Sequence, residues 1–591
     1  MWRVAPPAAC DGGGHHRRRL RFRSPGAQQM IGRLIAAAAL VLLITAPGLA
    51  RAGAPLQAVE ARHGMVVTSQ HIASAVGAGI LAAGGNAIDA AVAVGYALAV
   101  VEPCCGNIGG GGFMTLHLAD GRESFIDFRE TAPAAARADM YLDAAGQPIA
   151  ALSRHGWRAI GVPGTVLGLD RALAEYGSLP RAAVMAPAIA LARYGFVLSP
   201  GDAALLAAKS ALFAEDRAAA GIFLRPGGDA WAPGDRLVQK DLAATLAAIA
   251  KAGPDAFYRG PVAAAIAAAS RQHGGLLAKA DFAAYRVTEG PPLRCSYRGY
   301  AIVSAPPPSS GGTTICEILN ILEGWDMKAL GFRSARSVEL MVAAMRRAYA
   351  DRNSDLGDPA FVANPLDRLL SKGYAAGVRA AIDAGVAAPT ALPPAPREQA
   401  ETTSYSVVDA AGNAVAVTYT INGYFGAGVM APGTGFFLNN EMDDFTAKPG
   451  VPNLYGLVQG AANAIAPGKR PLSSMAPSLV EKDGKVFLVL GSPGGSRIIT
   501  TVLETIMNVI DYGMSPQEAV NAPRLHYQGL PNRVFYERSG LSPATITALD
   551  RLGFDLVAQH PWGATELIEI ANGRLLGAND DRRPDGAAVG Y

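Results

Sequence analysis

A threonine at the junction of two unlike segments is the first residue that could do chemistry. Residues 381–401 read AIDAGVAAPTALPPAPREQAE, which is rich in Pro and Ala and lacks apolar periodicity, so we predict a flexible segment. From Thr402 onward, SYSVVD and AVAVTYT alternate between polar and apolar residues around the turn DAAGN, which predicts a β-hairpin. A flexible segment therefore leads directly into a strand that begins at a hydroxyl residue.

One type of catalysis suits that position. If the peptide bond between Glu401 and Thr402 is cut, Thr402 gains a free α-amine beside its own hydroxyl, with an ordinary pKa of roughly 7.7 to 8.0. The amine can then act as general base for the hydroxyl, as in N-terminal threonine nucleophiles. This mechanism needs neither a histidine nor a G-x-S-x-G motif. The sequence has only nine histidines and lacks that motif. Because threonine is a common strand residue, the position alone is not specific.

Several elements must hold this threonine in place. The segment Ala73–Pro103 predicts two Ala-rich helices broken at Gly84 and Gly85, with Asn86 capping the second. The remaining predicted elements are two strands within residues 111–130, a mostly helical region within 165–290, a helix at Leu340–Arg352 and a strand, KVFLVLG, at 485–491.

Eight further motifs accompany Thr402. Upstream lie GNIGGGGF (106–113), DFRETAP (127–133), PPPSSGG (306–312) and YADRNSDLGDP (349–359), and downstream lie TYTINGYFGAG (418–428), FLNNEMDDFTAKPGVPNLYGLVQG (437–460), KRPLSSMAPSLV (469–480) and GSPGGSRI (491–498). Together they resemble the γ-glutamyltranspeptidase family, the glutathione hydrolases of the N-terminal-nucleophile superfamily. The resemblance extends from about Val59 to Tyr591.

The resemblance implies an α+β fold, a four-layer αββα sandwich, and a precursor that cuts itself at Glu401–Thr402. The products would be a large subunit (53–401) and a small subunit (402–591) that stay together as a heterodimer. Thr402 would attack the γ-amide carbonyl of glutathione or a related γ-glutamyl compound, forming a covalent intermediate. Water or an amino acid or dipeptide acceptor would then take the glutamyl group.

The resemblance also assigns the other site residues. Arg129 would bind the substrate α-carboxylate, because a guanidinium presents paired donors to two oxygens. Acceptors are needed for the α-ammonium, which has donors only. Thr420 would support Thr402, and Gly494 and Gly495 would present N–H groups to the oxyanion. Ser473 and Ser474 would assist Arg129 at the carboxylate. The ammonium would be bound by Asn422, Glu441 and Asp444, and Tyr455 would gate the pocket from a lid loop.

Two positions depart from many relatives in the family. Ser404, two residues after Thr402, stands where many carry histidine, which leaves the tuning of the nucleophile open. Glu441 stands where some bacterial relatives carry Gln, and its extra negative charge should strengthen ammonium binding.

Composition and motifs limit the partners. A net charge of +3 over 591 residues, without a basic stripe after the N-terminal region, argues against nucleic acid. The sequence E-M-D-D is not a recognised metal loop, and GNIGGGGF lacks the order and the lysine of a phosphate loop. We therefore expect neither a metal nor an organic cofactor.

The N-terminal region predicts export. Arg33, the apolar run Leu34–Ala46 and an A-x-A pattern at Ala50–Ala52 are typical of a secretory signal, so residues 1–52 are interpreted as a leader. The run is shorter than the roughly 20 residues of a membrane span, so we expect a periplasmic or secreted protein without a stable membrane span. No cysteine spacing suggests a disulfide framework, and the cysteines are expected to be buried thiols.

Two other functions remain open from the sequence. A glutaryl or cephalosporin acylase of the same superfamily would act on substrates that lack an α-ammonium. It would therefore not need Asn422, Glu441 and Asp444 together. A processed but non-catalytic binding protein is the second alternative, and the presence of Thr402 and Thr420 argues against it.

Overall fold

The computed structural model describes residues 57–385 and 402–591. The predicted leader lies outside these ranges, and so do residues 386–401 of the predicted flexible segment, which include Glu401. The helix Lys372–Asp383 extends into the first residues of that predicted segment. Within the described ranges, no helix has both the length and the apolar character needed to cross a membrane.

Nineteen strands are described, and most belong to two sheets. They are β1 Val59–Ala61, β2 Gly64–Thr68, β3 Gly111–His117, β4 Glu123–Asp127, β5 Phe196–Val197, β6 Arg236–Leu237, β7 Thr288–Gly290, β8 Leu293–Tyr297, β9 Tyr300–Ser304, β10 Thr403–Asp409, β11 Ala414–Thr420, β12 Ser478–Lys482, β13 Lys485–Leu490, β14 Leu525–His526, β15 Val534–Glu537, β16 Leu556–Gln559, β17 Glu566–Ala571, β18 Arg574–Asn579 and β19 Ala587–Gly590.

Two seven-stranded antiparallel sheets form the centre of the protein. Sheet 1 has the strand order β19-β2-β10-β11-β3-β4-β7, and sheet 2 has the order β1-β18-β17-β13-β12-β9-β8. Each sheet takes strands from both sides of Thr402 in the sequence. Cutting the chain before Thr402 would therefore leave the two pieces joined by ladders of backbone hydrogen bonds.

The helices lie on the outer faces of the two sheets. They are His71–Ala82, Ala87–Val101, Ala150–Arg154, Thr165–Tyr176, Arg181–Tyr194, Pro200–Ala208, Ser210–Glu215, Arg217–Phe223, Lys240–Ala252, Asp255–Tyr258, Pro261–Gln272, Lys279–Ala284, Gly311–Leu322, Met327–Leu330, Ala335–Asp355, Leu366–Leu369, Lys372–Asp383, Ile498–Ile510, Pro516–Asn521 and Pro543–Arg551.

Three apolar cores separate the four layers. The core between the sheets includes Val67 from sheet 1 and Leu479 and Ile568 from sheet 2. A second core joins sheet 1 to the helices of the N-terminal region, including the fully buried helix Ala87–Val101. A third joins sheet 2 to helices that include Gly311–Leu322. This order of helix, sheet, sheet and helix confirms the predicted αββα sandwich.

The local predictions are largely confirmed. Two helices meet near Gly84 and Gly85, and the Asn86 side chain accepts hydrogen bonds from the backbone of Ile88 and Asp89 in a capping box. The predicted hairpin after Thr402 is β10 and β11, whose antiparallel register pairs Thr403 with Tyr419.

The expectation of unpaired cysteines is wrong for the described residues. Cys295 on β8 is bonded to Cys316 on the helix Gly311–Leu322, and Cys104 is bonded to Cys105. The first pair is 21 residues apart in sequence, but the helix packs against β8 and brings the two Cα atoms within 6.0 Å. Sequence spacing alone does not show this contact, because it forms only when the outer helix covers sheet 2.

The disulfides predict a specific pattern of chemical labelling. When the denatured protein is alkylated without reductant, the peptides that contain Cys295 and Cys316 should remain cross-linked and unlabelled. They should separate and take up label only after reduction, as read by peptide mass spectrometry. Replacing both residues with serine should cost about 3 kcal/mol of stability, because closing a loop of this length restricts the unfolded chain. Labelling of either cysteine without reductant would contradict this pairing.

Candidate active site

The hairpin places two threonine hydroxyls side by side. Thr402 directly precedes β10, Thr420 ends β11, and the register that pairs Thr403 with Tyr419 brings the two ends together. Thr402 Oγ1 donates to Thr420 Oγ1 at 3.3 Å, and both residues are buried. Thr420 Oγ1 also accepts the backbone N–H of Asn422 at 2.8 Å. The hydroxyl of Thr402 is therefore held in a defined position at the end of a central strand.

Ser404 connects this strand to the loop that was predicted to stabilise an oxyanion. Its Oγ lies 3.1 Å from Thr418 Oγ1 and donates to the Val417 carbonyl at 3.1 Å. A side chain on Gly491 would place its Cβ 2.2 Å from Ser404 Oγ. Gly491 and Ser404 therefore pack directly against each other, and any side chain at position 491 would collide with Ser404.

The loop itself has a backbone shape that glycine permits. Gly494 has a φ of 137° and Gly495 a φ of 55°, both in the range that side chains disfavour. A short 3₁₀ turn, Gly495–Arg497, then leads into the helix Ile498–Ile510. The first N–H groups of a helix lack partners within the helix and carry partial positive charge, so they favour an oxyanion.

Arg129 lies at the centre of a buried cluster of carboxyl groups. Its Nη1 contacts Glu441 Oε2 at 2.5 Å and Glu130 Oε2 at 3.4 Å, and its Nη2 contacts Asp444 Oδ2 at 2.5 Å. Its Nε donates to the Pro471 carbonyl at 3.2 Å. The residue predicted to bind a carboxylate and two residues predicted to bind an ammonium are thus brought together, as partners of each other.

Burial changes the protonation of this cluster. It raises the pKa of Glu130 to about 8 and the pKa of Glu441 well above its usual range, and it raises the pKa of Asp444. Burial opposes the charge of Arg129, but Glu441 and Asp444 outweigh it and raise the pKa of the guanidinium. Among the described residues, Glu130 Oε1 and Glu441 Oε1 are buried without a hydrogen-bond partner.

These charges suit the head group of a free amino acid. Its carboxylate can take the place of a carboxyl beside Arg129, and its ammonium can then pair with the released carboxyl oxygens. The exchange keeps every charge paired, which a buried site requires. Glu441, whose carboxyl group was predicted to strengthen ammonium binding, contacts Arg129 in this structure.

Asn422 and Tyr455 form one side of the site. Asn422 has a φ of 73° and donates through Nδ2 to the Asn440 carbonyl at 3.0 Å. Tyr455 is buried, and its hydroxyl contacts Asn422 Oδ1 at 2.5 Å and the Asn422 carbonyl at 2.9 Å. The segment predicted to be a lid is thus hydrogen-bonded to the loop that follows Thr420.

The two predicted serines lie near a residue that the sequence analysis did not assign. Ser473 is buried and its Oγ accepts the N–H of Met475 at 3.1 Å, whereas Ser474 Oγ accepts Arg352 Nη2 at 3.1 Å. Arg352 belongs to the motif YADRNSDLGDP but received no role. Local sequence offered no signal for this role, because Arg352 is one of several charged residues in the second half of the helix Ala335–Asp355.

Two clusters contain residue types that bind metals. In the first, Glu102 lies near Cys104 and Cys105, whose sulfurs are bonded to each other. In the second, His117 lies near Glu123 and Glu481, and Arg294 forms ion pairs with both of these carboxylates. The first cluster adjoins β10, because Thr403 Oγ1 donates to Glu102 Oε2 at 3.1 Å.

Comparisons with known proteins agree with this arrangement. The family described as γ-glutamyltranspeptidase matches residues 73–591. A protein named glutathione hydrolase proenzyme from Pseudomonas sp. (strain A14) is 54% identical over 546 residues, which cover 90% of this chain and 95% of that protein. A protein named acylase ACY 1 proenzyme from Pseudomonas sp. (strain V22) is 46% identical over 472 residues, 79% of this chain and 83% of that protein.

A solved structure shares the fold. The crystal structure of a cephalosporin acylase from Bacillus halodurans superimposes with a TM-score of 0.81 at 28% identity, covering 93% of this chain and 99% of the other. The αββα sandwich with a threonine beginning a central strand is therefore that of an N-terminal-nucleophile hydrolase. Within that class, the chain belongs to the γ-glutamyltranspeptidase family.

Glu130 should make stability depend on pH. The folded protein keeps the Glu130 proton up to about pH 8, whereas the unfolded chain loses it near the usual pKa of 4.5. Folding therefore binds a proton between these values, and stability should fall as the pH rises from about 5 to about 9. Glu130→Gln is neutral throughout, so its melting temperature should fall less over this range than that of the wild type.

Differential scanning fluorimetry at a series of pH values measures this difference. Glu175→Gln is the matched control, because Glu175 lies on the helix Thr165–Tyr176 with a side chain 46% exposed. Its pH profile should follow the wild type. Parallel profiles for the wild type and Glu130→Gln would show that Glu130 is ionised in both states.

Proposed function

We propose that the protein is a self-processing γ-glutamyl hydrolase and transferase, with glutathione and related γ-glutamyl compounds as donors. The observation that carries the proposal is the contact of Arg129 with Glu441 and Asp444, on a segment whose Asn440 N–H donates to the Ile421 carbonyl next to Thr420. Its charges complement both ends of an α-amino acid head group. The relatives named glutathione hydrolase proenzyme support the same activity.

The reaction follows from the groups around Thr402. After the Glu401–Thr402 bond is cut, the new α-amine takes the proton of Thr402 Oγ1 as the oxygen attacks the γ-amide carbonyl. Backbone N–H groups at Gly494 and Gly495 stabilise the negative oxygen that forms. The amine of the donor leaves with the proton, and a γ-glutamyl ester remains on Thr402.

A second attack completes the cycle. Water, or the amine of an amino acid or dipeptide acceptor, gives its proton to the α-amine of Thr402 as it attacks the ester carbonyl. Thr402 Oγ1 leaves and regains a proton. The products are glutamate when water attacks and a new γ-glutamyl compound when an amine attacks.

Selectivity for the γ-linkage follows from the demand for a complete head group. We assign Arg129, Ser473 and Ser474 to the α-carboxylate. The ammonium is assigned to Asn422, Glu441 and Asp444. A glutamyl residue joined through its α-carboxyl group cannot offer both free charges, which leaves the side-chain amide as the group that reaches Thr402.

An acylase is the nearest alternative, because relatives of this chain carry that name. A glutaryl group would supply the carboxylate for Arg129 but no ammonium. Glu441 Oε1, which is buried without a partner among the described residues, would then stay unpaired. Unpaired buried polar groups are costly, so the cluster favours γ-glutamyl donors. A non-catalytic binding role would leave the contact between Thr402 and Thr420 without a use.

The proposed mature protein is a heterodimer of residues 53–401 and 402–591 in the periplasm or outside the cell. Each sheet contains strands from both pieces, which supports an assembly that survives the cut. The disulfides support export, because such bonds persist in oxidising compartments.

Self-cleavage should depend on the hydroxyl of Thr402. Thr402→Ala removes the group that attacks the preceding carbonyl, so the variant should fold as one chain and lack activity. Thr402→Ser keeps a hydroxyl and should still divide, but more slowly. Intact mass spectrometry of protein purified without proteases measures the cut.

The neighbouring threonine provides the matched control. Thr403 Oγ1 donates to Glu102 Oε2 at 3.1 Å. Thr403→Val keeps the shape of the side chain and should still divide before Thr402. If Thr402→Ala divides at that bond, the processing is not performed by this hydroxyl.

Donor selectivity should separate the roles of Asp444 and Arg129. Losing a hydrogen bond to a charged group costs about 1.5 to 3 kcal/mol, or roughly ten- to a hundredfold in kcat/KM. Asp444→Ala should lose this much on a γ-glutamyl anilide and far less on a glutaryl anilide, which has no ammonium. Arg129→Ala should lose activity on both donors, because both carry the α-carboxylate.

Steady-state kinetics of the processed variants provide the measurement. Exposed residues of the same types, Arg137 and Asp139, form an ion pair on the surface, so Arg137→Ala and Asp139→Ala should behave as the wild type. An equal loss on both donors for Asp444→Ala would favour the acylase alternative over γ-glutamyl specificity.

A further inference from the structure

Arg352 is a fully buried cation with only neutral partners. It lies near the end of the helix Ala335–Asp355 and is 1% exposed. Its guanidinium donates to Ser310 Oγ at 2.9 Å and Ser474 Oγ at 3.1 Å, and also to Asn353 Oδ1 at 2.8 Å and Gln459 Oε1 at 3.1 Å. Within residues 57–385 and 402–591, no carboxylate forms an ion pair with it.

Such an arrangement is costly unless an anion completes it. Burial lowers the pKa of the Arg352 guanidinium to about 10, which shows that its charge is poorly compensated. The negative charge of Asp444 acts in the opposite direction and raises the pKa of Arg352, but Asp444 is itself paired with Arg129. A buried charge without a counterion usually has a role that repays its cost.

The bonds of Arg352 set the direction in which neighbouring hydroxyls donate. A hydroxyl oxygen that accepts from a guanidinium must point its own hydrogen elsewhere. Ser310 Oγ accepts from Arg352 and donates to the Ser473 carbonyl at 2.6 Å. Ser474 Oγ also accepts from Arg352, and no described residue accepts the Ser474 hydroxyl hydrogen. That hydrogen is therefore available to a ligand oxygen.

The same guanidinium braces a second segment of the site. Gln459 Oε1 accepts from Arg352, and Gln459 Nε2 donates to the Asp444 carbonyl at 3.0 Å. Asn463 Nδ2 donates to the same carbonyl at 2.7 Å and to Gln459 Oε1 at 3.2 Å. Arg352 thus connects the segment that holds the two serines with the segment that holds Asp444.

We propose that Arg352 is a positioning residue for recognition of the substrate α-carboxylate. It holds Ser474 Oγ as a hydrogen-bond donor toward that carboxylate and, through Ser310, fixes the backbone of Ser473. It also places a second positive charge behind the carboxylate, in addition to Arg129. This inference rests on the proposed function, because the carboxylate is that of the γ-glutamyl group.

Three donors that differ only in the head group test the inference. A γ-glutamyl anilide has both charges, a glutaryl anilide has only the carboxylate, and a 4-aminobutanoyl anilide has only the ammonium. Arg352→Gln should raise KM about ten- to a hundredfold for the first two donors, with a smaller change in kcat. On the 4-aminobutanoyl donor its kcat/KM should stay within about threefold of the wild type.

Two further variants make the result decisive. Arg336→Gln is the matched control, because Arg336 is on the same helix with a side chain 44% exposed. The kcat/KM of Arg336→Gln on each of the three donors should match that of the wild type. Ser310→Ala removes only the link between Arg352 and Ser473, and it should raise KM for the two carboxylate donors several-fold. It carries the test if Arg352→Gln does not fold.

The outcomes separate this inference from the proposed function. If the wild type uses the γ-glutamyl donor but the variants lose activity equally on all three donors, Arg352 only supports the fold and the inference fails. Unchanged kinetics for the variants would also overturn it. If the wild type uses none of the donors, the proposed function fails, and this inference fails with it.

Discussion

The antiparallel register of one hairpin is the constraint on which the site depends. Because Thr403 pairs with Tyr419, Thr402 and Thr420 meet at the same end of β10 and β11, with their hydroxyls at hydrogen-bond distance. A shift of one residue would turn both side chains to opposite faces. The hairpin lies between β2 and β3 in the centre of sheet 1, so the register is held on both sides by strands from the N-terminal part of the chain. Thr402 is therefore positioned by a hairpin that is buried along its whole length.

The proposed substrate recognition depends on a different constraint, which is charge balance in a buried space. Arg129 is balanced by Glu441 and Asp444, and burial keeps Glu130 neutral below about pH 8. A zwitterionic head group can exchange partners with such a cluster without leaving a charge unpaired, whereas an uncharged ligand cannot. Arg352 adds a second buried cation whose partners are neutral oxygens. Taken together, these groups favour a doubly charged head group over an uncharged one.

Much of this architecture could be predicted from local patterns, and the remainder depends on contacts between distant segments. Period-two alternation predicts β10 and β11, and the Asn86 cap predicts the start of Ala87–Val101, because these signals lie within a few residues. The ion pair between Arg129 and Asp444 joins residues 315 positions apart, and the Cys295–Cys316 bond forms only when a helix covers sheet 2. Motif resemblance named candidate site residues, but it did not show that Arg129, Glu441 and Asp444 contact each other.

The central claim is that Thr402 carries the glutamyl group during turnover. Acid quenching of the processed enzyme during reaction with a γ-glutamyl anilide, in the absence of an amine acceptor, should trap that ester. Fragment-ion sequencing of the peptide that begins with Thr402 should then place one glutamyl increment on Thr402 and none on Thr403 or Thr420. A glutamyl adduct on another residue would contradict the account. So would steady turnover without any adduct under conditions in which hydrolysis of the ester limits the rate.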